Sequence, residues 1–380
     1  MKVYFDNAAT TSMDPEVADE MNFYMRQDFG NPSSTHSFGR KTRAALELAR
    51  RRVAEHINAE PGEIIFTSGG TEADNMAILC SVHDLGLKHA ITSKIEHHAV
   101  LYPLEELARQ GEIKLSYVNV DELGHIDLDH LKQLLSENER SFVSLMHANN
   151  EIGNLLPLQE VSDMCAEFDA VLHTDTVQTI AHYRLDVKKL GMHFMTCAGH
   201  KFHGPKGIGF LYVSNQVHVN PVIRGGGQER SLRAGTENVY GIMGLAKALD
   251  LAYEHLDEHT EYILGLKRYM MAQLEENFPG VSFNGDAKGN SLYTVLNVSL
   301  PPTDKAEMLL FNLDIEGIAT SGGSACSSGS DIGSHVLAEL TIPDNTPVCR
   351  FSFSKYNTRE EIDYVIEKLR MIYELPAVMA

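Results

Sequence analysis

Lys201 sits in the run Ala198-Gly199-His200-Lys201-Phe202-His203-Gly204-Pro205-Lys206-Gly207-Ile208-Gly209, between an apolar segment and a glycine-rich turn. A lysine held there in a shaped, partly desolvated cleft can attack a carbonyl and form a Schiff base. A solvated lysine beside a glycine-rich hairpin fits the same residues. Asp175 closes the apolar run Ala170-Val171-Leu172-His173-Thr174, and an acid at the carboxyl end of a strand can keep a pyridine nitrogen protonated. The competing reading makes Asp175 and Gln178 a capping box for a following helix.

Ser68-Gly69-Gly70-Thr71-Glu72 falls between a strand-like run and a helix-like one. Free N–H groups and the helix dipole would there face an anion, unless the segment is only an N-cap on a tight turn. It lacks the Gly-Lys-Ser/Thr ending of a P-loop and the G-x-G-x-x-G pattern, so nucleoside triphosphate and dinucleotide binding do not follow. His97, in Ile95-Glu96-His97-His98-Ala99, can supply a flat ring and a proton relay at a helix start, or merely begin the helix. Cys326 is centred in Thr320-Ser321-Gly322-Gly323-Ser324-Ala325-Cys326-Ser327-Ser328-Gly329-Ser330, which predicts an exposed, mobile, reactive thiol. Cys80, Cys165, Cys197 and Cys349 lie among apolar residues and read as core. Arg350 interrupts the apolar run 348–353 and needs an anionic partner, either a substrate carboxylate or an internal salt bridge.

Something must hold these residues together, and the pattern around them shows what. Strand-like and helix-like segments alternate from residue 63 to 213: strands at 63–67, 90–92, 114–120, 142–146, 170–173, 194–197 and 208–213, with helices at 73–82, 99–109, 128–135 and 158–168. This predicts an α/β fold with a mostly parallel sheet covered on both faces. A helix is expected over 40–57 and a long helical stretch over 239–278. The remainder, with strands at 294–300, 317–320 and 349–353 and helices near 306–313 and 359–373, reads as a smaller α+β layer. The expected organisation is an N-terminal segment (1–15) returning to the small layer, a large domain (16–250) and a small domain (251–380) carrying the Cys326 loop. At 380 residues with 43% hydrophobic content, the chain can bury cores of this size.

A net charge of −20 argues against general nucleic-acid binding. No apolar run approaches the roughly 18 residues that span a bilayer, and the N-terminus has no signal-peptide core, so a cytoplasmic location without membrane association is expected. Five scattered cysteines without a C-x-x-C pair indicate neither a disulfide framework nor a structural zinc site. The eighteen histidines are dispersed, and no metal is expected.

Taken together, Asp6-Asn7-Ala8-Ala9-Thr10-Thr11, Thr67-Ser68-Gly69-Gly70-Thr71-Glu72, Glu96-His97-His98, Asn149-Asn150-Glu151-Ile152-Gly153, His173-Thr174-Asp175, Gly199-His200-Lys201, Arg233-Ala234-Gly235-Thr236 and Ser324-Ala325-Cys326-Ser327-Ser328-Gly329 resemble the cysteine desulfurases over nearly the whole chain. These are class V pyridoxal-phosphate enzymes of fold type I, the aspartate aminotransferase fold, whose large domain is built on a seven-stranded sheet. The resemblance implies that Lys201 carries pyridoxal 5'-phosphate, Asp175 pairs with the ring nitrogen, Gln178 bonds the ring oxygen and His97 stacks on the ring. It further implies that Gly70, Thr71 and His200 hold the phosphate, with Thr236 reaching in from the other subunit of a homodimer. Arg350 and Asn150 would bind the carboxylate of L-cysteine, and Cys326 would take the sulfur as a persulfide, leaving L-alanine.

The long polar loop is similar to that of the branch that hands sulfur to protein acceptors such as iron-sulfur scaffolds. Ala198 stands where the family often has serine, so that position would offer the phosphate only its backbone N–H. The segment 331–348 is compact, and the chain lacks the longer C-terminal tail of some members. A selenocysteine lyase, a plain aminotransferase and an inactive sulfur carrier are the alternatives. The aminotransferase has no need of Cys326, and the inactive carrier is disfavoured by the presence of Lys201, Asp175 and Arg350 together.

Overall fold

The computed structural model describes residues 1–303, 308–322, 333–343 and 345–375. Its strands are β1 (Val3–Tyr4), β2 (Ile64–Thr67), β3 (His89–Ser93), β4 (Lys114–Val118), β5 (Phe142–Ser144), β6 (Val171–Asp175), β7 (Phe194–Ala198), β8 (Gly209–Val213), β9 (Ser282–Asn284), β10 (Val295–Ser299), β11 (Ile318–Ala319) and β12 (Val348–Ser352). Its helices are α1 (Pro15–Gln27), α2 (Ser37–His56), α3 (Gly70–His83), α4 (His98–Arg109), α5 (Leu128–Ser136), α6 (Leu158–Glu167), α7 (Val239–Glu254), α8 (Leu256–Asn277), α9 (Leu309–Ile315), α10 (His335–Ala338) and α11 (Arg359–Ile372).

β2 to β8 form a seven-stranded sheet in the order β2-β8-β7-β6-β5-β3-β4. Neighbours from β4 to β7 pair in parallel, and β8 runs antiparallel between β7 and β2. Two reversals make β2 parallel to β7, so the carboxyl ends of β2, β3, β5, β6 and β7 share one edge. Ligands of open α/β sheets bind at that edge. Strand side chains alternate between faces. Accordingly Ile64 and Phe66 pack with α2 and α7, whereas Ile65 packs with α3 and α4 on the other side. The second core gathers Val3 and Phe5 with residues of α8, β10, β12 and α11 around the antiparallel sheet β12-β10-β9. β1 pairs in parallel with β11.

The expected alternation is present, with instructive differences at its ends. α3 begins at Gly70 rather than 73, because glycine and threonine are weak interior helix formers yet serve well in a first turn. The stretch 239–278 is two helices meeting at His255. α1 left little signal beyond Asp14 and Pro15, which cap and start it. No helix follows Asp175 before β7, so the capping-box reading of Asp175 and Gln178 is wrong.

One buried ion pair ties α2 to the sheet. Arg50 donates from Nη1 and Nη2 to the Glu229 carboxylate at 2.7 and 2.9 Å and also bonds the Ile64 carbonyl at 2.8 Å. Glu229 in turn accepts from the Phe66 N–H at 2.9 Å. Removing one member of such a pair leaves the other charge buried without compensation. Glu229→Ala is therefore expected to lower stability by about 3–5 kcal/mol in urea denaturation; an unchanged midpoint would contradict this account of the α2 contact.

Candidate active site

The shared sheet edge opens into a cleft of about 810 Å³. Gly70, Thr71, His97, Asn150 and Asp175 line it, together with Gln178, Ala198, His200, Lys201 and Arg350. Gly70 and Thr71 follow β2, His97 follows β3, Asn150 follows β5, Asp175 and Gln178 end or follow β6, Ala198, His200 and Lys201 end or follow β7, and Arg350 comes from the middle of β12. Of the other sequence candidates, Thr236 is exposed and is not among the residues lining the cleft of its own chain, whereas Cys326 falls outside the described residues.

Lys201 stands in the short 3-10 turn after β7. Its Nζ donates to the carbonyls of Ala8 and Ala9 at 2.6 and 2.9 Å. The N-terminal segment thus forms a wall of the cleft, and Gln178 Nε2 bonds the same Ala8 carbonyl at 3.0 Å. Thr11 secures that segment by donating from N and Oγ1 to the His200 carbonyl. The close approach of turn and strand needs glycine at 209, where a Cβ would lie 2.2 Å from the Cys197 carbonyl oxygen and 3.0 Å from Gly69 backbone atoms.

α3 begins on the cleft wall with Gly69 as N-cap and no side-chain cap, so Ser68 does not play the capping role its type allows. The first-turn N–H groups of a helix have no intrahelical acceptor, and with no side-chain cap here they suit an anion. Gly70 is small because α3 packs directly on the sheet: a Cβ there would come within 2.9 Å of Val177. His200, with Nδ1 3.1 Å from Thr10 Oγ1, also borders the cleft. Burial, reinforced by the charge of Lys201, lowers its pKa to about 4, leaving a neutral imidazole.

Asp175 accepts the Val177 N–H at 2.8 Å. Burial, followed by the nearby carboxyl of Asp74, pushes its pKa up to about 7. Such an acid favours a cationic partner when one enters. His97 caps α4 by accepting the Ala99 N–H on Nδ1 at 3.1 Å, which places its ring proton on Nε2. Burial and then Lys201 lower its pKa to about 4, so the cap and cleft roles coincide in one neutral ring.

Arg350 is 1% exposed. Its Nη1 donates to the Asn150 carbonyl at 2.9 Å, and its Nη2 to Asp6 Oδ1 at 2.7 Å. The internal salt bridge is therefore real, yet Nε remains buried without a hydrogen-bond partner. That leaves the guanidinium with donor capacity for a carboxylate. Ser321 Oγ also bonds Asp6, and Ser321 exchanges backbone hydrogen bonds with Arg350. Cys80, Cys165 and Cys349 are buried, with thiol pKa values pushed up to about 12 chiefly by burial; Cys197 is buried and its thiol is likewise held well above its ordinary value. All four are inert core residues. Sequence reasoning missed Asp6, the Ala8 and Ala9 carbonyls, and Asp74 of α3.

With this geometry in view, the comparisons with known proteins are specific. The aminotransferase class-V family model matches residues 3–365, and the chain belongs to that family. The fold is the α/β arrangement with a mostly parallel seven-stranded sheet found in NifS-like structures of pyridoxal-phosphate fold type I. A cysteine desulfurase IscS of Dictyoglomus turgidum is 43% identical over 98% of this chain and 95% of its own length. One from Methanosarcina thermophila is 41% identical over 96% of this chain and 90% of its own. Among solved structures, a NifS-like protein superimposes with a TM-score of 0.91 at 36% identity, covering 98% of this chain and all of the other. SspA in complex with cysteine matches with a TM-score of 0.80 at 30% identity, covering 94% and 100%. Among the described residues, no helix is long and apolar enough to cross a membrane.

Proposed function

We propose that this protein is a pyridoxal-phosphate-dependent cysteine desulfurase, converting L-cysteine to L-alanine while its sulfur passes to Cys326. The observation that carries the reading is the convergence of Lys201, Asp175, His97, the uncapped start of α3 and Arg350 on one cleft. These residues suit pyridoxal 5'-phosphate: a primary amine, an acid beside it and a ready anion cradle are the three features that molecule requires. Lys201 would be its covalent anchor, and Asp175 and Gln178 would pair with the ring nitrogen and the ring oxygen. Gly70, Thr71 and His200, with the backbone of Ala198, would hold the phosphate. When bound, the cofactor supplies an electron sink that weakens bonds at the substrate's α-carbon.

The chain's own residues do the remainder. Arg350, with Asn150, fixes the substrate carboxylate. His97, neutral with its proton on Nε2, would lie against the ring, and Lys201, as a primary amine, would move protons at the substrate. The Cys326 thiolate attacks the substrate sulfur, a sulfur–sulfur bond forms, and the carbon–sulfur bond breaks. Its electron pair stays with the three-carbon fragment, which is protonated to alanine, so the products are alanine and one persulfide. A second thiol then collects that sulfur, on a protein acceptor serving iron-sulfur clusters or other thio-cofactors. The unit is a homodimer in which Thr236 of a second copy completes the phosphate site. It works in the cytoplasm and is organised as residues 1–15, 16–250 and 251–380.

Incubation with L-cysteine and a thiol reductant should release sulfide and alanine in equal amounts; alanine without sulfide would contradict the reading. Arg350→Lys keeps a charge but cannot span Asp6, the Asn150 carbonyl and a substrate carboxylate together. Its KM for L-cysteine is expected to rise roughly tenfold to a hundredfold, the worth of a charged hydrogen bond. Steady-state kinetics check this, and an unchanged KM would remove Arg350 from substrate binding.

A further inference from the structure

α3 is buried on nearly every side, and one of the residues it buries is an acid. Asp74 lies one turn beyond Thr71, is 1% exposed and lines the cleft floor. Its Oδ1 has no hydrogen-bond partner. The nearest basic group is His173 Nε2 at 3.4 Å, but that nitrogen sits 3.1 Å from Thr196 Oγ1 while His173 Nδ1 sits 2.8 Å from Ser144 Oγ. An imidazole so placed, fully buried between two hydroxyls, is neutral, and burial lowers its pKa to about 4. Single side-chain atoms of Asp74, His97 and Asp175 lie within 4.8 Å of one another. The other titratable groups around Asp74 are Glu96, from the turn before α4, and Lys201, after β7.

Two buried carboxyls this close cannot both ionise without a cation between them. Lys201 donates to the Ala8 and Ala9 carbonyls and its charge bears on Asp175 rather than on Asp74, and in the proposed enzyme its amine is consumed in the link to the cofactor. An ionised Asp74 would then draw the ring proton away from Asp175 or leave a second charge buried. A protonated Asp74 is a neutral donor.

We propose that Asp74 is a positioning residue of this site, which keeps its proton and so leaves Asp175 as the sole anion of the pair facing the ring nitrogen. This rests on the cofactor assignment above. The protonation of Asp74 itself, however, can be read without the cofactor. Burial, opposed by a hydrogen bond from Thr196, raises the Asp74 pKa to about 7. Acids whose folded-state pKa is raised stabilise the native chain fully below the unfolded value near 4, and that contribution is lost as pH rises through about 7.

The test compares the full-length parent with Asp74→Asn, which mimics the protonated acid, and with Asp175→Asn. Cofactor affinity should be retained within about threefold in Asp74→Asn and weakened roughly a hundredfold in Asp175→Asn. The buried histidines held neutral stabilise both proteins increasingly as pH rises from 5 and cancel in a comparison. The urea midpoint of the cofactor-free parent, taken relative to that of Asp74→Asn, should therefore fall between pH 5 and 8. Should the asparagine variant fail to fold, infrared spectra of cofactor-loaded parent grown on aspartate labelled with heavy carbon at its side-chain carboxyl decide the matter. A protonated aspartate band at neutral pH is expected, and it should persist in Asp175→Asn; the label separates it from Glu96 and the variant separates it from Asp175. The proposal is overturned by a thirtyfold or greater loss of affinity in folded Asp74→Asn, by an unchanged pH profile in that variant, or by the absence of the infrared band. Failure of the parent to bind pyridoxal phosphate would instead defeat the cofactor assignment, and the pH profile of the cofactor-free protein would still decide the state of Asp74.

Discussion

Lys201→Ala protein is expected to lose the visible absorbance of covalently bound cofactor and at least about a thousandfold in desulfuration rate, because covalent anchor and proton shuttle disappear together. The structure makes the substitution clean. The lysine amine contacts the Ala8 and Ala9 carbonyls, which belong to a segment also held by Gln178 and Thr11. The cleft should therefore survive truncation, and pyridoxal phosphate should still bind reversibly through the α3 start and Asp175. Absorbance spectra with and without added cofactor, read beside sulfide release, separate the outcomes. A normal band in the variant would move the anchor elsewhere, with Lys206 the next lysine in the same turn.

Cys326→Ser should show the complementary behaviour: full colour, substrate-induced spectral change and sulfide release reduced by roughly 10⁴-fold, as when a nucleophile is removed. A hydroxyl is no substitute for a thiolate as an acceptor of sulfur. No other described cysteine can take over, since Cys80, Cys165, Cys197 and Cys349 are buried with thiols held in the neutral form. Full activity in the variant would refute sulfur transfer through Cys326. Loss of colour together with activity would point instead to a collapsed site.

Much of this site was legible in the sequence because its residues end or follow strands, where apolar runs give way abruptly to polar or glycine-rich turns. Asp175 after 170–174 and Lys201 after 194–197 stand out for that reason, and the parallel sheet brings them to one edge. What stayed hidden depends on partners far away in the chain. Arg350 meets Asp6 across 344 residues, so the sequence could pose the choice between salt bridge and substrate contact without revealing that both can hold. Asp74 looks like an ordinary polar position of a surface helix; only the burial of α3 on nearly every side turns it into a buried acid whose Oδ1 has no hydrogen-bond partner. The helix that the capping-box reading required after Asp175 does not form. Instead Gln178 turns back to the Ala8 carbonyl, a contact that no local pattern encodes. Thr236 is exposed in a single chain, and its expected role belongs to a second copy.

In the proposed reaction the cleft prepares L-cysteine and Cys326 receives its sulfur. Mass spectrometry of the intact protein after brief exposure to L-cysteine without reductant, followed by peptide mapping, tests it most directly. One added sulfur is expected, removable by a thiol reductant and located on Cys326. An unmodified protein that has nonetheless produced alanine, or an added sulfur on any other cysteine, would contradict it.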